Sequence, residues 1–515
     1  IKEDDFSVLF SDKASRPNAP INVLVSALIL LYKNGWSYEE LFDQIYFNLL
    51  TRIALGLFTL DTVPFSMATI FNFQNRIIDH FVRTGEDLFK HIFDGITADQ
   101  LKSLNIDGSI QRTDSFLADS NIRSYSRLQL LIEVIIRFHR ILSDSDKKKF
   151  HDRFRSYLKG SSGQYIYRLK GSDLSHEFFV LGELYHWICE NFRESYGESN
   201  IFSILERVFC EHFTVVDEKI ELISSKELSS DILQSPDDVE ATYRKKRNVK
   251  SRGYSINITE TATPENQINL LTDISVDCNN VDDSVILNDR LDEMKSKTPE
   301  LNELHTDGGY GSGDNDKKFE ELGITHVQTA IRGRESSVNF EIEKLSDNAY
   351  DNAYEVSCEM QTVQSLRAKK RYKACFDLSI CENCPLSSDC PAKKMKNHRI
   401  YYFSEADYLQ KRRSKNIDQL PEERKRLRPN VEASVREFKR RMIGGKLKVR
   451  GKFKAMIFAY TTAIGINFGR IYRYEAKHGY FGSNGSNSLY FSILSCKIDL
   501  IKVIAKKSMC KIYDK

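Results

Sequence analysis

The stretch Arg428–Lys454, RPNVEASVREFKRRMIGGKLKVRGKFK, constrains this chain more than any other. Val431, Val435, Phe438 and Met442 fall at i, i+4, i+7 and i+11, the spacing of one apolar helical face. Arg428, Glu432, Arg436 and Lys439 form a second stripe, turned by about 100° from the first. One helix therefore buries an aliphatic face and carries a single carboxylate, flanked by cations, at the edge of that face. Pro429 suits the first turn, and Gly444-Gly445 supplies a stop. Nine basic residues lie between Arg436 and Lys454, opposed only by Glu437. A solvated surface helix needs basic residues but has no use for a lone acid against the core. The pattern reads as a metal-binding carboxylate beside a nucleic-acid track.

The chain's 515 residues allow two to four domains and a large core. A net charge of +3 is small, so any polyanion binding must come from local clustering. Arg244–Arg252 (RKKRNVKSR) holds six basic residues, including Arg244, Lys245 and Arg247, and Arg367–Lys373 (RAKKRYK) holds five. Arg436, Lys446 and Arg450 continue the pattern around the helix. Three such patches between Arg244 and Lys454 point to a polyanion partner. The longest apolar runs, near Val23–Leu31 and Met456–Phe468, are too short or too interrupted to span a bilayer. No secretory signal is present, and Ile1 in place of Met implies that residues precede it. Ten cysteines without such a signal point to reduced thiols and a cytoplasmic setting.

Residues 1–100 read as an all-helical N-terminal domain. Ile21–Tyr32 is a buried helix stopped at Asn34-Gly35, and Ser37 with Glu40 forms a capping box for the next helix. Ser66–Arg76 resembles the second helix of a helix-turn-helix, a weak signal in one sequence. Leu104–Leu117 changes to strand period within a segment 101–126. Residues 127–240 return to helical period and read as an all-helical insertion. Across 241–332, strands at Gly253–Thr261 and Ile268–Val276 precede alternating helix and strand, giving an α/β sheet interrupted by helical matter. Residues 333–425 read as irregular and cysteine-rich, 426–475 as the end of the core with the Glu432 helix, and 476–515 as a tail.

Asp307 sits where a short strand meets a glycine-rich turn, the place where open α/β sheets bind ligands. Asp-Gly as plain turn punctuation is an equal reading of that residue alone. Asp114, in a strand among apolar neighbours, and Asp107, before Gly108, are rivals that spacing does not separate. Two Asp and a Glu offer oxygen ligands that suit Mg²⁺ or Mn²⁺. A pair of such ions activates an attacking oxygen and stabilises a leaving one on a phosphodiester.

Arg428-x3-Glu432-x6-Lys439 matches the R-E-K part of the Y-x2-R-x3-E-x6-K signature of DDE transposases of bacterial insertion sequences. HTDGGYG around Asp307 and RTDSFLADSNIR around Asp114 resemble that family's other acidic segments, and the helical N-terminus resembles its N-terminal domain. The resemblance implies an RNase H-like mixed sheet in which Asp114, rather than Asp107, joins Asp307 and Glu432 to hold two Mg²⁺ or Mn²⁺ ions. Arg428 and Lys439 would contact DNA phosphates. The signature's Tyr falls at Lys425, a departure at the terminal-base contact. The implied activity is DNA cleavage at insertion-sequence ends and strand transfer into target DNA, by a homodimer on double-stranded DNA associated with the nucleoid. A DNA-binding descendant without catalysis and a nuclease without joining are the competing readings.

Cys375-x5-Cys381-x2-Cys384-x5-Cys390 places four soft ligands within 16 residues, a spacing typical of a structural zinc site. His398 is an alternative fourth ligand. The other six cysteines, such as Cys189 and Cys496, are scattered and read as core fillers.

Overall fold

The computed structural model describes residues 3–10, 19–59, 63–217, 219–246, 248–328, 340–345, 353–369 and 371–478. Arg247 and Cys496 lie outside them. At the N-terminus the helix Ile21–Asn34 stops at Gly35, whose φ of 68° is the left-handed cap that glycine adopts without strain. Ser37 caps the helix Tyr38–Phe47. Its hydroxyl accepts from the Glu40 N–H, and the Glu40 carboxylate accepts from the Ser37 N–H. Ser66 caps Met67–Thr84. These helices share one apolar core with the central sheet and a last helix, Lys452–Lys477. Gly465 of that helix meets the first one so closely that a Cβ would stand 2.7 Å from the Lys33 side chain.

The central sheet begins with β1 (Ile110–Asp119). The insertion follows, with helices from Arg127 to His212 around their own core and a hairpin, β2 (Phe213–Val216) with β3 (Lys219–Leu222). The insertion is therefore not all-helical. His212, 1% exposed, closes its last helix and accepts at Nδ1 from Arg127 Nε at 3.1 Å. Burial, helped by the Arg127 charge, holds the His212 pKa down to about 4. A histidine with a depressed folded pKa stabilises fully above its unfolded value of about 6.5 and loses that contribution as pH falls toward 4. About 3 kcal/mol should be lost over that window. Urea unfolding followed from pH 7 to pH 4 should show a shallower decline for His212→Asn than for the wild type.

The chain then returns through β4 (Thr242–Lys246), β5 (Val249–Thr261), β6 (Leu271–Cys278), β7 (Glu303–Thr306) and β8 (Thr325–Gln328). β5 is antiparallel to β1 on one side and to β6 and β4, while β1, β7 and β8 run parallel. The order β6-β5-β1-β7-β8 is the mixed sheet that the resemblance implies. Helices Asp283–Lys297 and Gly313–Glu321 make the crossovers. The two long strands are packed on both faces, as expected for a sheet lying between helices.

Residues 333–425 are not irregular where the structure describes them. They form a second, antiparallel sheet of β9 (Glu341–Lys344), β10 (Tyr354–Ser357), β11 (Thr362–Ala368), β12 (Arg371–Asp377), β13 (Lys393–Lys394) and β14 (His398–Phe403). Its strands alternate charged with small or aromatic residues, and with only one face buried the basic runs mask the period of two. Helix Glu405–Asp418 then leads back to the central sheet. The organising helix begins as a 3₁₀ turn at Arg428–Asn430, runs Val431–Lys439, and ends before Gly444-Gly445, which form a separate turn with φ of 62° and 78°.

Candidate active site

Alternation along β1 puts Arg112, Asp114 and Phe116 on one face. Phe116 packs on Phe438 of the helix Val431–Lys439, ring centroids 5.7 Å apart. That contact lays the Glu432 helix across the face that carries Asp114. β1 and β7 are parallel neighbours with Arg112 opposite His305, so two residues further on Asp114 draws level with Asp307. Asp307 starts its turn by accepting the Gly309 N–H at 2.7 Å, and Gln328 at the end of β8 donates to its carbonyl at 3.3 Å. The glycines here do not supply left-handed backbone, contrary to the usual reason for a glycine-rich turn. At Gly311 the need is space: a Cβ would come within 2.5 Å of the Gln328 amide.

Arg428 stands at the centre. Its Nη2 lies 2.9 Å from Asp114 Oδ2 and 3.9 Å from Asp307 Oδ2, and its Nη1 donates to Glu432 Oε1 at 3.1 Å. One guanidinium thus reaches three carboxylates drawn from three distant segments. Asp114 is the most buried of the three, Asp307 is partly open and Glu432 faces solvent. Burial raises the Asp114 carboxyl above its ordinary range. Arg428 and the Ser115 N–H pull it back, and the charges of Asp307 and Glu432 push it up again. Asp107 is elsewhere, folding its own turn by accepting from the Ser109 N–H and hydroxyl.

As the side chains stand, no three His, Cys, Asp or Glu among the described residues converge closely enough to hold a metal. At the acids the reason is visible, because the Arg428 cation fills the space between them. The donor set itself, three carboxylates, fits a hard divalent ion. An ion entering it must displace Arg428 toward solvent.

A buried carboxylate that the sequence patterning passed over holds this arrangement in place. Glu260 of β5, opposite Arg112, accepts from Arg112 Nε at 2.8 Å, Arg470 at 2.7 Å and the Ser434 hydroxyl at 2.6 Å. Burial alone would raise its pKa, but Arg470 and Arg112 outweigh that and keep it low. Arg112 also donates to the Leu427 carbonyl at 2.8 Å, fixing the segment that presents Arg428. An acid in the strand Asn257-Ile-Thr-Glu-Thr was the available signal. Ser434 breaks the apolar stripe for the same reason: it is buried as a hydrogen-bond donor.

The basic residues divide. Lys446 Nζ donates to the Ile122 carbonyl at 2.9 Å, Arg450 to the Asn121 carbonyl at 2.8 Å and Asp237 at 3.3 Å, and Arg244 to the Asn279 carbonyl at 3.0 Å. These three brace loops. Lys439 lies 5.4 Å from the Phe116 ring centroid, and Lys245 and Arg436 are exposed. Arg436, Arg440 and Arg473 line a concavity of about 400 Å³ against the outer face of the Glu432 helix, with Glu437 and Ala433. Arg440 and Arg473 were not among the residues that sequence reasoning singled out.

Of the four cysteines expected to act together, Cys381, Cys384 and Cys390 line one small cavity and Cys375 does not. Cys375 pairs with Ile400 on β12, between Ala374 and Phe376, whose side chains enter the small core of this sheet. Strand alternation therefore turns Cys375 to the opposite face. His398, opposite Asp377, shares that outer face. Among the described residues no helix is long and apolar enough to cross a membrane.

Comparison with protein families gives two matches. The family described as "Transposase domain (DUF772)" matches residues 1–76, and "Transposase DDE domain" matches residues 352–472. The second takes in Arg428, Glu432 and most of the last helix, while Asp114 and Asp307 lie outside it. No curated protein and no solved structure matches the chain. The family implies DNA as a partner and dependence on a divalent metal. The two matches, one at the N-terminal helices and one at the organising helix, support a DDE-type transposase of an insertion sequence.

Proposed function

We propose that this transposase cuts DNA at the ends of its element and joins the freed 3′ ends to target DNA, using Asp114, Asp307 and Glu432 to hold two Mg²⁺ or Mn²⁺ ions. The single observation that carries this reading is the meeting of those three carboxylates around one guanidinium. Bound ions would polarise the scissile phosphate and lower the pKa of the attacking water or hydroxyl. The protein supplies position and charge. Arg428, released from the acids, is placed to donate both Nη groups to a phosphate, the bidentate geometry for which arginine is suited. Lys439, two helical turns beyond Glu432, brings a second cation to the same side.

The groove of Arg436, Arg440 and Arg473 extends this charge along the outer face of the helix. Joining two element ends brings two active sites together, so the reacting species is at least a dimer. The test is a linear duplex carrying the element's end repeats, incubated with Mg²⁺. Cleavage followed by joining supports the proposal. Binding without cleavage would leave a DNA-binding protein, and cleavage without joining would leave a nuclease.

For the groove, Arg436→Gln with Arg440→Gln should weaken DNA binding uniformly across sequences. Losing two phosphate contacts lowers the slope of log K against log salt by about 2. An unchanged slope would place the DNA on another face.

A further inference from the structure

Cys358, a residue outside the cysteine spacing, completes the cavity lined by Cys381, Cys384 and Cys390. It follows β10 in the turn to β11, and its N–H donates to the Gln361 carbonyl at 2.9 Å. Cys381 lies in the short helix Leu378–Glu382, the Cys384 N–H donates back to the Cys381 carbonyl at 3.3 Å, and Cys390 belongs to the loop before β13. The cavity is about 30 Å³, room for one small occupant, and its remaining walls include Phe340, Phe376 and Leu386. All four cysteines are free thiols.

Two polar groups already face this cavity. Gln361 Nε2 lies 3.2 Å from Cys381 Sγ, held there by bonds to Asp377: Nε2 to its carbonyl at 3.1 Å and Oε1 from its N–H at 2.9 Å. Arg399, opposite Phe376 on β14, anchors both Nη groups on Ser387 at 3.0 and 2.8 Å. Its Nε–H is buried without an acceptor. A buried donor without an acceptor costs free energy, and a neutral thiol is a poor acceptor for it whereas a thiolate is a good one.

We propose that Cys358, Cys381, Cys384 and Cys390 bind one structural zinc ion, with Arg399 and Gln361 donating to the sulfurs. Binding converts four thiols to thiolates and releases four protons, leaving a site of net charge −2 that the Arg399 guanidinium partly offsets. The sulfurs do not yet meet at a point. Each has a single χ1, and Cys358, Cys384 and Cys390 sit on turns or loops while Cys381 lies in a one-turn helix, so convergence to Zn–S distances near 2.3 Å is a local movement. Four sulfur donors suit zinc and exclude Mg²⁺. The ion would staple the β10–β11 turn to the β12–β13 connection in a six-stranded sheet whose own buried core is small.

The test uses the full chain purified without added metal, with zinc read by atomic emission and protected thiols counted by alkylation and mass spectrometry. The expected result is about one zinc per chain, with Cys358, Cys381, Cys384 and Cys390 protected and Cys375 reactive. Cys358→Ser should lose tenfold or more of the zinc after dialysis against a chelator, whereas Cys375→Ser keeps it. Should Cys358→Ser fail to fold, the alkylation pattern of the wild type decides by itself. Zinc lost from Cys375→Ser, iron in place of zinc, a disulfide among the four, or no metal with all thiols reactive would each overturn the assignment.

Discussion

Asp307→Asn and Glu432→Gln are each expected to abolish Mg²⁺-dependent DNA cleavage, by about 10³-fold or more, while DNA binding stays within a few-fold of wild type. A group that organises charge in the transition state carries effects of that order. Binding should survive because the basic groove is built from other residues. The structure adds an expectation that a general loss of fold does not share. Three carboxylates face one guanidinium, so removing one charge relieves repulsion in the metal-free protein and should leave its melting temperature equal or higher. Added Mg²⁺ should then stabilise the wild type by mass action and stabilise neither variant. Wild-type turnover in either variant, or an unchanged response to Mg²⁺, would reject the assignment of the acids.

Glu260→Gln should be the most destabilising change near the site, although Glu260 touches neither Asp307 nor Glu432. Its carboxylate is 0% exposed and serves Arg112, Arg470 and Ser434 together. Removing the charge leaves the buried Arg112 guanidinium without its carboxylate and Arg470 with Glu437 alone, which costs about 3–5 kcal/mol. Urea midpoints measured for Glu260→Gln against wild type test this directly. Because Arg112 also fixes the Leu427 carbonyl and Ser434 lies in the Glu432 helix, cleavage should fall with stability. Raising Mg²⁺ should restore part of that loss, unlike the loss in Asp307→Asn. A shift below about 1 kcal/mol, the scale of an ordinary hydrogen bond, would mean that the cluster is less tightly coupled than its distances imply.

The elements that sequence reasoning placed best are those whose signals lie within one turn of helix. The stop at Gly35 and the Ser37–Glu40 box depend on neighbours three or four residues apart. The Glu432 helix was legible for the same reason, though its end was not. Gly444-Gly445 looked like the stop, but the helix closes at Lys439 because Met442 reaches the core from the following turn. The second sheet was missed because its strands expose one charged face and carry no continuous apolar run.

The sequence by itself determined the chemistry on offer: a basic helix and a cluster of cysteines, recognisable from local spacing, and a set of acids in which the family resemblance, not spacing, preferred Asp114 to Asp107. Only the tertiary structure decided which of these groups meet. Parallel pairing of β1 with β7 brings Asp114 level with Asp307, and the Phe116–Phe438 contact lays Glu432 over both. The same holds for the thiols, where strand alternation turns Cys375 outward and a turn 17 residues earlier brings in Cys358. Spacing along a chain reports neighbours on one helix or strand. Which face a strand presents, and what crosses it, is fixed by register between segments hundreds of residues apart.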